Sequence, residues 1–466
     1  MTDVLSDRPE RKYLSLLLAM LYKLIPSEKK AIIQIFSLRV HRKTFYSAID
    51  IFLFFIKIKI YRYFIAIFPS LSNGASGMTH RERFFRLFEN TADKYVPFFP
   101  DITDWYMGTR ISPGEPYPYE PGQFIPANSP FHKRKSSMPA ELAGLNLLEI
   151  YQKYDWGFPV HIYDWFEFKY SAQVSYEEKI QGNIKLRRFC TPQGDLERID
   201  QLSGDGSWAP REYYIKQLSD LDTMRLVIEH TVYVPRFEQA KAVLEELGGQ
   251  GVGDLPVMRS PFGKLVHEYM GFDQVVYALY DHPDEVLDFL AFQEQKDLEQ
   301  VRLVAQCPGR IVIISDHADE NLIAPPYYKD YCIPFYQKAC GILHDAGKLV
   351  STHWDGNHKA LFPMIGETGF DFLDGCTPAP MNNYEVEELA EALPRGMVTY
   401  LGVPSSLFCQ GLPTEEILAF GERIYNALAG RVIINVGDIL PPNGDIGQVI
   451  ALGEQVKKLN EKLENL

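Results

Sequence analysis

The chain is expected to fold as an α/β protein built on a (β/α)8 TIM-type barrel, with inserted β-hairpins and an atypical N-terminal extension. Three observations predict this. Short apolar runs recur through the second half, at residues 311–314, 349–352, 370–373, 398–401 and 432–434, separated by segments of helical periodicity such as 384–393 and 415–428. Runs buried on both faces and joined by helices imply a parallel sheet. Earlier runs at 96–99, 159–162 and 255–258 raise the number of candidate strands to eight, the count of a closed barrel. Each late run also ends in polar or turn-forming residues, the pattern of a sheet that carries a site along its C-terminal edge. A doubly wound sheet is the alternative arrangement.

A length of 466 residues accommodates one large barrel with additions. Residues 1–77 differ from the rest of the chain, with 12 Lys and Arg against 5 acids, whereas the remainder is strongly acidic. Within them the apolar stretch 49–68 is interrupted by Lys57, Lys59 and Arg62, which a membrane-spanning helix does not readily carry at its centre. No short apolar region is followed by a small-residue cleavage site, so a secretory signal fits poorly. The readings left are translation from a start codon set too early, a basic membrane-surface segment, or a private helical extension. Membrane contact is expected only if this segment is part of the native protein.

From Met78 onward, MTHRERFF opens a short helix with Phe84, Phe85, Leu87 and Phe88 on its apolar face. The run 96–99 ends at Asp101 and Asp104, and a loop rich in Pro, Gly and Tyr then occupies 108–139, a length that points to function. Alternating polar and apolar positions over 173–200 predict antiparallel hairpins inserted beside the main fold. The glycines of GGQGVG (248–253) precede an apolar run instead of coming after a strand, which argues against a dinucleotide loop. A long helix is expected from Pro283 to about Gln306.

The net charge of −14 argues against nucleic acid as the main partner, because phosphate binding needs a basic face. Six cysteines with no CxxC pair suit a reducing cytoplasm. A small-molecule substrate is expected instead.

The residues at the ends of the late runs carry the chemistry. They are Ser315, Asp316 and His317; His353 and Asp355; Asp374 and Cys376; Ser405 and Ser406; and Gly437 and Asp438. His353 and Asp355, two apart on one strand, are expected to point the same way, as a metal pair or a proton-transfer pair. The competing roles are a hydrogen-bonded structural histidine and an aspartate that organises the Asp355-Gly356-Asn357 turn. Cys376 is either a soft metal ligand or inert packing. Asp316, His317, Asp319 and Glu320 form an acidic cluster that either caps a helix ahead of Pro325 and Pro326 or contacts substrate or metal. His353, Asp355, Asp316 and Asp438 are the candidate catalytic groups. Asn357, Ser315 and Asp319 are the candidates for cofactor binding, and His353, Asp355 and Cys376 for metal.

At these residues the chain resembles the uroporphyrinogen decarboxylase superfamily, which includes cobalamin-dependent methyltransferases. MTHRERFF resembles the family's opening helix and TPQGDL (191–196) its hairpin motif. The stretches 315–347 and 353–375 resemble its central block, and NVGDILPPNGDIGQVIAL (435–452) its last strand and helix. The resemblance implies a cytoplasmic barrel enzyme that moves a methyl group between a corrinoid carrier, free or on a corrinoid protein, and a small thiol or folate-like acceptor. Decarboxylation of a porphyrinogen in tetrapyrrole biosynthesis, needing no cofactor, and non-catalytic corrinoid or tetrapyrrole binding are the alternatives. True decarboxylases of the family carry an arginine-rich motif after the first strand, where this chain reads DITDWYMGTRISPG with Arg110 alone. Their last-strand histidine corresponds to Asp438. The zinc methyltransferases use His-x-Cys and a second, late cysteine, where this chain has His353-Trp354-Asp355 and no cysteine near Asp438. The resemblance therefore implies a zinc site only with a carboxylate in place of a thiolate.

Overall fold

The structure is a computed structural model and describes residues 77–89, 94–204 and 206–464. The chain divides into two units at the Gly77/Met78 boundary. The readings offered for residues 1–77 fall outside the described residues, apart from Gly77. Among the described residues no helix is long and apolar enough to cross a membrane.

The first strands are β1 (Phe158–His161), β2 (Phe166–Tyr170), β3 (Ser175–Gln181), β4 (Ile184–Thr191), β5 (Gly194–Leu202) and β6 (Trp208–Glu212). Next come β7 (Thr231–Pro235), β8 (Gly251–Val257), β9 (Ile311–Ile314) and β10 (Leu349–His353). The last are β11 (Phe372–Cys376), β12 (Val398–Val403) and β13 (Val432–Val436). Seven of them form one parallel sheet in the order β1-β8-β9-β10-β11-β12-β13. The late apolar runs became β9 to β13. Full burial of Ile311–Ile314, Val398–Val403 and Val432–Val436 is why their sequences read as unbroken apolar stretches.

The run at 96–99 is not a strand of this sheet. It contributes a single parallel bridge, Phe98 to Ile434. Pro97 and Pro100 have no N–H to donate, which limits the ladder. The segment still touches both sheet edges. Phe99 N donates to Ile434 O at 3.0 Å and Ile434 N to Pro97 O at 2.9 Å, while Gly157 N, just ahead of β1, donates to Phe98 O at 3.0 Å.

The insertion after β1 is antiparallel, as the alternating sequence predicts. Strands β3 to β6 form a four-stranded sheet, and β2 pairs with β7. The β3–β4 hairpin turns through Gly182 and Asn183, with Gly182 at φ +62°, the left-handed conformation that a tight two-residue turn requires. The long helix runs Pro283–Val304.

The inner face of the parallel sheet is layered. Phe99, Val252, Ile311, Phe372, Val398 and Ile433 form an apolar layer, closed from below by Phe84 and Leu87 of the helix His80–Glu89. Side chains on a strand repeat every two residues. Two residues further along each strand that layer becomes polar: Val252 leads to Asp254, Phe372 to Asp374 and Ile433 to Asn435, and all three line one small cavity. The Phe84 ring centroid lies 5.5 Å from that of Phe99 and 6.2 Å from that of Phe372. Phe84→Ala removes this contact, and about 3–5 kcal/mol of stability is expected to go with it. Urea unfolding measures the loss, and an unchanged midpoint would show that the helix does not seal the sheet.

Candidate active site

Parallel register sets two imidazole–carboxylate pairs side by side on the polar layer. His161 is opposite Asp254 across β1 and β8, and His353 opposite Asp374 across β10 and β11. His161 Nδ1 lies 2.9 Å from both oxygens of Asp254, and His353 Nδ1 lies 3.3 Å from Asp374 Oδ2. Asp438, just past β13, reaches His353 Nε2 at 3.6 Å. Asp101 N donates to Asn435 Oδ1 at 2.7 Å, and Asn435 Nδ2 to the Asp438 carbonyl at 2.7 Å, which ties the segment after residue 99 to the end of β13.

Burial governs the protonation of these groups. It disfavours the His161 imidazolium, but Asp254, Asp374 and Asp101 outweigh it and raise the pKa to about 10. For His353 burial is likewise outweighed, by Asp438, Asp374 and Asp355, and the pKa rises to about 9. Burial pushes Asp438 up to about 7, against the pull of His353, and Asp101 up to about 6, against its hydrogen bonds from Thr103.

Strand β10 ends at His353, so Asp355 lies beyond it on the next loop and not on a shared strand face. That loop is latched to the loop after β9. Asp319 accepts from Asn357 N at 2.8 Å, Glu320 N donates to Asn357 O at 2.8 Å, and Ala360 N donates to Glu320 at 2.7 Å. The latch brings in His317, which the sequence placed only within an acidic cluster. His317, His353 and Asp355 each offer a ligand atom, and these atoms lie within 4.8 Å of one another. The His317 ring stands edge-on to that of His353 with centroids 4.8 Å apart. Burial, reinforced by His353 and Arg259, lowers the pKa of His317 to about 2, so its lone pair is free at neutral pH. Gly375 is held at φ +73°, and a Cβ there would lie 2.7 Å from His353 Cε1, so the ring position requires glycine.

Two imidazoles and one carboxylate are the donor number and type of an open zinc site. The Asp374 carboxylate on the far nitrogen of His353 is the kind of outer partner that orients a ligating histidine. The donor set therefore fits zinc, whose binding would release the proton that the surrounding carboxylates hold on His353.

Other expected site residues fall elsewhere. Asp316 does not face the cleft: it is fully buried and accepts from Ser260 N at 3.1 Å and Tyr336 Oη at 2.6 Å, anchoring the loop after β8 to a helix. Cys376 is outside the donor group, fully buried, with its thiol pushed up to about 12 by burial. Ser315 offers its carbonyl to Arg259, and Asp319 and Asn357 serve as the latch. His161 and Asp254 were missed. Asp254 sits on a strand that starts at Gly251, four residues before the apolar run that marked it, so a strand-end carboxylate looked like part of a glycine loop.

The His161–Asp254 pair yields a signed pH dependence. A folded-state pKa raised from 6.5 to about 10 contributes stability that is fully present below pH 6.5 and is lost as pH rises through about 10. Asp254→Asn is expected to remove most of that dependence and to lower the His161 pKa. Denaturant midpoints from pH 6 to 10, with NMR titration of the His161 ring, test this; parallel wild-type and variant curves would refute it.

No protein-family model matches the sequence, and no curated protein matches it. Among solved structures, a methyltransferase from Methanosarcina mazei aligns with a TM-score of 0.51 at 13% identity, over 82% of this chain and 99% of that one. A B12-independent methionine synthase from Shewanella sp. W3-18-1 aligns at a TM-score of 0.41 and 11% identity, over 77% of this chain and 99% of that one. At such identities the first likeness is one of fold.

Proposed function

We propose that this chain is a methyltransferase-like enzyme of the uroporphyrinogen decarboxylase superfamily, moving a methyl group between a corrinoid carrier and a small thiol or folate-like acceptor. In this reading residues 97–99 complete the sheet as an eighth, minimal member of a closed barrel. The observation that carries the proposal is the convergence of His317, His353 and Asp355 over the C-terminal ends of the strands. These three would hold zinc, which supplies a positive charge that lowers the pKa of an acceptor thiol. Asp374 orients the His353 ring, and Asp438 stands beside its other nitrogen to hold or release a proton near neutral pH.

Porphyrinogen decarboxylation is disfavoured by the lining of the inner face. Asp101, Asp254, Asp374 and Asp438 all border the inner cavity, and the basic group in its lining, His161, is already paired with Asp254, so the lining offers a polycarboxylate no unpaired cation. Arg110, the one arginine of the expected gripping motif, is buried against the Tyr106 ring and Met138.

Purified full-length protein is expected to hold stoichiometric zinc, lost in His317→Ala and His353→Ala and kept in Cys376→Ser. Incubation with methylcob(III)alamin and a panel of thiol and folate acceptors, followed spectrally, should show demethylation with at least one of them. Zinc retained in both histidine variants would dissolve the metal assignment. No turnover alongside consumption of uroporphyrinogen would reverse the ranking of reactions.

A further inference from the structure

Away from the strand-end site, the insertion encloses a second cavity of about 440 Å³, within the range of about 300–1,000 Å³ usual for small-molecule pockets. Its walls come from both antiparallel sheets. Phe168 and Tyr170 of β2 and Tyr233 of β7 face Tyr176 of β3 and Arg187 and Phe189 of β4. Each of the pairs 168/170 and 187/189 is spaced by two, so a single sheet face supplies both members. Helix residues Ile228 and Gln293 complete the inner end. Phe168 and Tyr176 are exposed while Gln293 is 1% exposed, so the cavity runs from the surface inward.

Two features of this cavity are costly unless something binds there. Arg187 and Arg198 are directly opposite one another in the β4–β5 register, a like-charge pairing that destabilises a sheet. One buried carboxylate serves both: Asp200 lies 2.8 Å from Arg187 Nε and 2.7 Å from Arg198 Nε. Glu178, 3.7 Å from Arg187, is itself approached by Lys185 at 4.0 Å. The remaining cations on the wall are matched, Lys264 by Asp297 and Lys296 by Glu299, and the carboxylate of Glu268, which also lines the cavity, is matched by Arg259. One positive charge is thus in excess, at the arginine pair.

The second feature is Gln293. Its amide nitrogen donates to Asp297 at 2.7 Å, which turns its oxygen the other way, and that buried Oε1 has no hydrogen-bond partner. A buried acceptor left unmade carries the full cost of its lost hydration. An aromatic wall, a single surplus cation and an orphaned acceptor together define a ligand class.

We propose that this cavity binds a small aromatic carboxylate bearing a hydroxyl, with its ring among the tyrosines, its carboxylate on Arg187 and Arg198, and its hydroxyl donating to Gln293 Oε1. The proposal does not rest on methyl transfer. Calorimetric titration of the full chain with 4-hydroxybenzoate tests it, and saturable binding of one molecule per chain is expected. Benzoate, lacking the donor, and p-cresol, lacking the carboxylate, should each bind about tenfold more weakly, the worth of one charge-assisted or buried hydrogen bond. Arg187→Met and Gln293→Leu should weaken 4-hydroxybenzoate to the same degree. Ile228→Trp, which fills the cavity, should abolish binding in protein whose circular dichroism shows it folded. His353→Ala should bind as the wild type does. No saturable binding by the wild type overturns the proposal. So does binding that survives Ile228→Trp, or binding that His353→Ala abolishes, which would move the ligand to the strand-end site.

Discussion

Burying imidazoles and carboxylates above an apolar layer is tolerable only if each charge meets an opposite one, and this constraint orders the inner face. Parallel register meets it by setting His161 against Asp254 and His353 against Asp374 on neighbouring strands. The aspartates come after an apolar residue by one step of the two-residue repeat, so the apolar plug and the polar layer are consequences of the same alternation. A one-residue slip of any of these strands would turn its charged group into the helical shell and its outward residues into the lumen. The polar layer therefore enforces the register that places the site.

The same alternation decides how much of the fold is legible in the sequence. Strands β9 to β13 were legible because burial on both faces leaves an apolar signature, and the hairpins because polar and apolar residues alternate along them between turn-forming glycines. The first half was less transparent. Glycines at 251 and 253 are needed where β8 passes close to Phe158 and Ile162, and they hid the start of that strand and Asp254 with it. Prolines at 97 and 100 reduced an apolar run to one bridge.

The site was legible as a region and not as a ligand set. His353 and Asp355 stand out by spacing, but His317 joins them through hydrogen bonds between two loops distant in sequence. Asp316 looked equally eligible one position earlier. Its neighbours on other elements, Ser260 and Tyr336, decide that it is a buried anchor. Asp316 and His317 are adjacent in a loop whose backbone follows no repeat, so a single sequence does not say which of the two faces outward.

Hydrogen bonds also link the outer cavity to the loop that carries His317. Met258 and Glu268 line the outer one, while Arg259, between them in space, approaches Glu268 at 3.4 Å and donates to the carbonyl of Ser315, two residues before His317. His267 Nε2 lies 3.2 Å from the carbonyl of His317 itself. Arg259 and His267 thus join the lining of the aromatic pocket to the loop that carries His317. Arg198 of the outer cavity also donates to the Glu268 carbonyl at 3.2 Å, so the arginine pair is tied to the segment that packs against the His317 loop.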